Sequence, residues 1–209
     1  MDRRQHWDNI YNTKSLNEVS WYEPIPVTSL KFVADYNIPL DAKIIDVGGG
    51  DSFLADYLLE MGYKDITVLD ISAAALERAK LRLGNKAGQI KWIVADAADF
   101  QPVEQYDFWH DRAAFHFLTE EDEIAQYLMT VQKSLSAKGI LVIGTFSEMG
   151  PKKCSGIDIR QYSESTMTTM LKRFFEKIKC LTFDHHTPFN TIQNFIFCSF
   201  KQLPPLHSN

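Results

Sequence analysis

The sequence predicts an α/β fold: a doubly wound, mostly parallel seven-stranded sheet with an antiparallel C-terminal hairpin at one edge. Three observations predict it. From Ala42 onward, short apolar runs of strand length alternate with segments of helical spacing, the pattern of βαβ units. The first three of these strands end in glycines or an aspartate, where open parallel sheets bind ligands. The last two strand-like runs have only a short connection between them, and adjacent strands without a crossover helix are antiparallel.

The elements follow in order. Residues 1–40 form an aromatic-rich segment with Trp7, Tyr11, Trp21, Tyr22, Phe32 and Tyr36, broken by Pro24 and Pro26, with a short helix expected over Ser29–Tyr36. Residues 41–209 carry the sheet, and the whole is expected to be one domain. Lys43–Val47 is the first strand. Ser52–Met61 follows with helical spacing and Gly62 as its C-cap. Ile66–Leu69 is the second strand. Ser72 caps a helix over Ala73–Leu83, which Gly84 stops. Ile90–Ala95 and Tyr106–His110 are the third and fourth strands. Glu120–Ser136 reads as a helix with acidic residues in its first turn and Lys133 in its last, which suits the helix dipole. Ile140–Phe146 is the fifth strand. After Gly150-Pro151, Ser163–Phe175 reads as a helix, and Lys177–Phe183 and Ile192–Lys201 as the closing pair.

Composition narrows the function. Of 209 residues, 45% are hydrophobic and 23% charged, which is ordinary for a globular chain and unlike a disordered one. Three cysteines, Cys154, Cys180 and Cys198, are too few and too scattered for a disulfide framework, and no CxxC pair offers a zinc ribbon. No apolar run reaches the roughly 18–20 residues of a membrane span, and Met1–His6 is followed by no apolar signal region. A cytoplasmic protein is expected. Residues 1–150 hold 14 Lys and Arg against 23 Asp and Glu; residues 151–209 hold 8 against 4. The net charge of −5 argues against a general nucleic-acid binder.

Chemistry is expected just beyond the strand ends. Asp46-Val47-Gly48-Gly49-Gly50-Asp51-Ser52 is a turn in which glycines permit sharp bends and close ligand approach. A dinucleotide fingerprint read from Gly48 would end on Phe53, where that motif needs glycine or alanine, and no GxxxxGK[ST] loop exists. A carboxylate beside the glycines suits a cationic ligand better than a phosphate. Asp70, about 20 residues on, stands where an acidic residue accepts from ribose hydroxyls. Asp96, between Ala95 and Ala97, is placed to accept from an adenine amino group while its small neighbours leave room for the ring.

With Asp46-Val-Gly-Gly-Gly, Val68-Leu-Asp70-Ile-Ser, Ala95-Asp96-Ala and Tyr106-Asp-Phe-Trp-His-Asp111-Arg in this order, the chain resembles the class I S-adenosylmethionine-dependent methyltransferases, closely over about residues 40–147. Many members carry another glycine where this chain has Ser52. The front segment, Trp7-Asp-Asn-Ile-Tyr11 and Trp21-Tyr22-Glu-Pro, is similar to openings of small-molecule and protein-lysine enzymes that fold over the cofactor. The resemblance implies a Rossmann-like fold and S-adenosylmethionine as cofactor. It implies cofactor contacts from Trp7, Tyr11, Trp21, Asp46, Gly48, Gly49, Gly50, Asp70, Ile71, Asp96, Ala97 and His110.

The substrate side is less defined. His110, His116 and Tyr162 are the candidate catalytic residues, and Arg112, Phe115, Cys154, Arg160 and His185 the candidate substrate contacts. His116 reads equally as a core histidine, Arg112 as a structural partner of Asp111, and Arg160 as an oxyanion ligand or a surface cation. Cys154 has no short ligand spacing to His185 or His186, so no metal is expected. The expected acceptor is a small molecule. A protein lysine and a non-catalytic S-adenosylmethionine-binding role are the alternatives, and the chain lacks the Asn/Asp-Pro-Pro-aromatic signature of some amino-group enzymes.

Overall fold

A computed structural model describes residues 2–203. Five parallel strands build the sheet: β1 (Lys43–Val47), β2 (Asp65–Asp70), β3 (Ile90–Val94), β4 (Tyr106–Arg112) and β5 (Leu135–Phe146). A two-stranded excursion follows, β6 (Lys153–Cys154) and β7 (Ile157–Asp158), and then the long hairpin β8 (Phe175–His186) and β9 (Ile192–Gln202). The seven-stranded sheet runs β3-β2-β1-β4-β5-β9-β8, with β9 antiparallel to both neighbours. The reversal of order between β1 and β4 opens a crevice at their carboxyl ends.

The order within the hairpin follows from its side chains. Six consecutive residues of β9, Phe195–Phe200, are buried, as a strand covered on both faces requires, whereas β8 mixes buried and exposed positions along the edge. Residues Cys180 and Cys198, which face each other across β8 and β9 with Cα atoms 4.1 Å apart, form a disulfide. The cysteine count predicts no disulfide framework; a single cross-strand bond, 18 residues apart in sequence and set by register, has no local signature.

Helices cover both faces. Along β1, β2 and β4 adjacent residues point to opposite sides. Ile44, Val68 and Phe108 pack on one face against Phe32 of α2 (Val27–Asp35), Leu58 of α3 (Leu54–Met61) and Leu76 of α4 (Ala73–Leu83). Ile45, Leu69 and Trp109 pack on the other against Leu128 of α5 (Glu121–Ser134) and Leu171 of α6 (Glu164–Leu171). Local signals fix the helix ends. Ser72 Oγ accepts from Ala75 N–H as the N-cap of α4, and Gly62 closes α3 at φ 96°.

Most boundaries differ from expectation by one to three residues, and some by more. β4 continues through Asp111 and Arg112, because both polar side chains find partners inside the fold. α5 ends at Ser134 and β5 starts at Leu135, leaving no loop between them. α6 stops at Leu171, so Phe175 opens β8, and both hairpin strands run longer than their apolar cores. The β6–β7 pair carries no hydrophobic alternation and was not expected. Ser155 and Gly156, both at positive φ (51° and 83°), give it the turn geometry of a two-residue hairpin.

The close approach of β5 and β9 depends on Gly144, which pairs with Phe197. A Cβ at position 144 would lie 2.4 Å from Phe197 Cζ. Gly144→Ala is therefore expected to lower unfolding stability by about 1–3 kcal/mol, the usual cost of overpacking. Urea denaturation monitored by circular dichroism measures it, and an unchanged midpoint would show that the ring moves aside freely.

Candidate active site

One deep cavity opens at the carboxyl ends of β1, β2, β3 and β4. Its floor is the turn after β1. Gly48 and Gly50 hold left-handed φ values of 67° and 48°, and Gly48 and Gly49 donate backbone N–H bonds to Leu69 O at 2.8 and 3.2 Å, tying the turn to β2. A Cβ on Gly49 would lie 2.7 Å from Asp46 Oδ2, and one on Gly50 would lie 2.8 Å from Tyr11 Oη and 3.1 Å from Asp70 Oδ2. Backbone, phenol and two carboxylates thus converge where only glycine fits. Gly48 and Gly49 line the cavity; Gly50 lies behind it. Ser52 keeps the turn by donating to Asp46 Oδ2 at 3.4 Å.

The wall carries two carboxylates at successive strand tips. Asp70, at the end of β2, accepts from Ser72 N–H at 2.8 Å, and burial pushes its pKa up to about 7, with the nearby Asp51 and Asp46 charges adding to the shift. Ile71 lines the cavity beside it. Asp96, after β3, accepts from Ala98 N–H at 3.0 Å through Oδ1, and its Oδ2 lies 3.7 Å from an Arg3 guanidinium nitrogen. Ala95 and Ala97 leave space on either side.

The roof is α1 (Arg3–Thr13), which the sequence leaves as an aromatic segment. Asp2 caps it, accepting from Arg4 N–H at 2.9 Å. Asp8 fastens it to the start of α4, accepting from Ser72 Oγ at 2.6 Å and Ala74 N–H at 3.2 Å. Arg78 donates to Tyr11 O and Lys14 O, and Arg3 forks onto Glu123 at 2.6 and 2.8 Å. Trp7 packs edge-on to Trp21 at 5.6 Å and to Phe117 at 5.2 Å, and Trp7, Tyr11 and Trp21 all face the cavity. Desolvation holds the Tyr11 phenol well above its ordinary pKa, so it stays protonated.

The far end is built by β4. Its period-two alternation sends His110 and Arg112 toward the cavity and Asp111 to the opposite face. There Asp111 accepts from Tyr127 Oη at 2.7 Å and from Ala114 and Phe115 N–H at 3.0 Å, so it pairs with these groups and not with Arg112. His110 Nδ1 lies 2.7 Å from Asp46 Oδ1, and Nε2 lies 2.9 Å from Ser29 Oγ. With a carboxylate on Nδ1, that nitrogen carries a proton, and the serine hydroxyl engages Nε2. Arg112 donates from Nη1 to Trp21 O at 3.3 Å and stands 3.1 Å from Glu23 Oε2. Cys154 also lines the cavity, where burial raises its thiol pKa to about 12.

Besides Gly50, five sequence-predicted residues do not reach the cavity. His116 is fully buried behind it; its Nδ1 accepts from Phe146 N–H at 3.4 Å, and desolvation lowers its pKa to about 3, leaving it neutral. Phe115 and Tyr162 pack with tilted rings, centroids 5.4 Å apart, in the core on the α5–α6 face. Arg160 pairs with Glu121 at 2.6 Å near the surface. His185 donates Nε2–H to Ser20 O at 2.8 Å and holds the front segment against the hairpin. Of the three catalytic candidates, His110 alone faces the cavity, and among the described residues no cluster of three or more metal-ligating side chains occurs. Arg3, Glu23, Ser29 and Asp51 were missed. Each meets its partners through contacts distant in sequence, and no local pattern marks them.

Comparison with known proteins adds to this geometry. A family described as "Methyltransferase domain" matches residues 44–139. The chain is 30% identical over 106 residues to the malonyl-[acyl-carrier protein] O-methyltransferase of Anoxybacillus flavithermus, covering 50% of this chain and 39% of that protein. It is 25% identical over 157 residues to the EEF1A lysine methyltransferase 2 of Mus musculus, covering 67% of this chain and 64% of the relative. The chain thus spans less than two thirds of the length of both. Its fold is similar to that of an S-adenosylmethionine-dependent methyltransferase from Anabaena variabilis, with TM-score 0.75, 13% identity and 97% and 96% of the two chains covered. It is also similar to the N-methyltransferase NodS from Bradyrhizobium japonicum, solved with S-adenosylhomocysteine, with TM-score 0.69, 15% identity and 96% and 98% covered.

Proposed function

We propose that the chain is a member of the class I S-adenosylmethionine-dependent methyltransferases, a reading supported by the methyltransferase-domain match over residues 44–139 and by the fold, and that it transfers a methyl group from S-adenosylmethionine to a small-molecule acceptor. The observation that carries this reading is the pair of carboxylates, Asp70 and Asp96, facing one cavity above a glycine turn that side chains would fill.

The donor fits the residues present. Asp70 would accept from the ribose hydroxyls, Asp96 from the adenine amino group with Ile71 and Ala97 against the ring, and the backbone at Gly48 and Gly49 would hold the methionine portion. When bound, S-adenosylmethionine supplies a methyl group already made electrophilic by its sulfonium. The work left to the chain is alignment and exclusion of water. Trp7, Tyr11 and Trp21 on and beside the roof exclude water and present aromatic faces and edges to a cationic centre. His110 has both ring nitrogens engaged, so it holds Ser29 and the glycine turn in place rather than taking a proton from the acceptor. An acceptor whose attacking atom arrives unprotonated needs no base.

A protein lysine is the second reading, favoured by the similarity to EEF1A lysine methyltransferase 2. A transfer screen with radiolabelled methyl donor against fractionated cell extract separates them. Label in the low-molecular-weight fraction is expected. Label confined to acid-precipitable protein supports the second reading, and tight donor binding with no labelled product supports a non-catalytic binding protein.

A further inference from the structure

Arg112 has no ordinary place in a protein core. It sits on β4, two residues from His110 and on the same face, with its side chain only 12% exposed. Nη1 donates one long bond to Trp21 O. Nη2 is 3.1 Å from Glu23 Oε2 yet makes no aligned hydrogen bond, and Nε has no partner. A buried donor left without an acceptor costs about 1–3 kcal/mol, and more when charged. Such groups in native folds call for an explanation, and a functional role is one.

The two unpaired groups are not arbitrary. Nε–H and one Nη2–H lie parallel along one edge of the planar guanidinium, the fork that a carboxylate takes with two bonds at once. The guanidinium carbon lies 5.5 Å from the centre of the Phe195 ring, and Phe195 and Phe146 give the cavity apolar walls. Among the described residues Glu23 is the one carboxylate within ion-pair distance; burial raises its pKa and the Arg112 charge opposes the rise. We propose that Arg112 is the carboxylate-binding residue of the cavity, seating a ligand that carries a carboxylate on an apolar body. This assignment rests on the methyltransferase reading for the identity of the ligand but not for the chemistry of the subsite. A carboxylate there comes either from the amino-acid end of the methyl donor or from the acceptor. Where the acceptor supplies it, the same buried cation opposes entry of a protonated lysine side chain.

Tryptophan fluorescence from Trp7 and Trp21, backed by calorimetry on the full chain, reads both sources. One arm compares S-adenosylhomocysteine with its analogue lacking the carboxylate, in wild type, Arg112→Lys and Arg112→Met. A carboxylate of the donor on Arg112 predicts at least tenfold weaker binding of the analogue to wild type, and no such preference in Arg112→Met. The other arm titrates phenylacetate and phenylacetamide into the protein with and without S-adenosylhomocysteine. A subsite for the acceptor predicts binding of the acid and not the amide, lost at least tenfold in Arg112→Met while S-adenosylhomocysteine affinity holds. Arg112→Lys keeps the charge without the fork and is expected to lose most of the preference; it also gives the result if Arg112→Met fails to fold. The proposal is overturned if neither arm shows a carboxylate preference that depends on Arg112. If wild type ignores S-adenosylhomocysteine, the methyltransferase reading fails, and the phenylacetate arm alone still decides the subsite.

Discussion

Asp70→Asn is expected to weaken S-adenosylmethionine binding at least tenfold and, at pH 8, to raise the melting temperature of the donor-free protein. The first effect follows from losing a charged acceptor. A hydrogen bond to a charged group is worth about 1.5–3 kcal/mol, and a tenfold change in affinity is about 1.4 kcal/mol. The second follows from burial. The Asp70 carboxyl titrates near 7 in the folded state, well above its ordinary value of 3.8, because desolvation disfavours its charge. Between those values the folded state holds a proton that the unfolded chain has released. Its contribution to stability is therefore fully present below pH 3.8 and is lost as pH rises through about 7. Asparagine removes that loss. Each kcal/mol recovered raises the melting temperature by about 2–4 °C in a chain of this size. In wild type, donor affinity should also climb as pH passes from 6 to 8 and Asp70 ionises, and the variant should be flat. Melting curves and calorimetric titrations at the two pH values measure all three. A variant that binds as tightly as wild type would remove Asp70 from the site.

Gly48→Ala is expected to abolish detectable donor binding and to destabilise the fold. The residue holds φ 67°, and a new Cβ would lie 2.6 Å from Ala114 Cβ. The left-handed backbone alone costs about 1–2 kcal/mol for a residue with a side chain. The contact with Ala114 adds to this, because that atom is fixed to the backbone after β4 and cannot swing away. The turn must then shift, and with it the N–H bond from Gly48 to Leu69 O that ties β1 to β2. Gly88→Ala is the matched control, since a Cβ there meets nothing within 4 Å. It should leave affinity and stability unchanged. Equal behaviour of the two variants would mean that the turn is not shaped for a ligand.

The legible parts of this protein are those written locally. Lys43–Val47 is an apolar run stopped by glycines, and the strand occupies those residues. Ser72 and Gly84 bracket Ala73–Leu83 because capping depends on side chains within three or four residues. The carboxylates at positions 70 and 96 were readable because strand ends in a parallel sheet share one rim. Strand β4 shows where local reading stops. By sequence Asp111 and Arg112 lie beyond the strand, yet Tyr127, 16 residues away, accommodates one inside it and Trp21, 91 residues away, accommodates the other. His116 and Tyr162 illustrate the same limit from the other side. Residue type nominates them for chemistry, but the turn after β4 and the packing of α6 place them in the core. The Ser29 hydroxyl reaches His110 from 81 residues upstream, a contact that no spacing rule marks.

The cavity above the glycine turn is expected to hold an adenosyl methyl donor. Calorimetric titration of the wild-type chain with S-adenosylmethionine, S-adenosylhomocysteine and NADH tests it directly. Binding of both adenosyl compounds at one site per chain, sensitive to Asp70→Asn, with no heat from NADH, is the expected result; preferential binding of NADH, or no binding of either adenosyl compound, would contradict it.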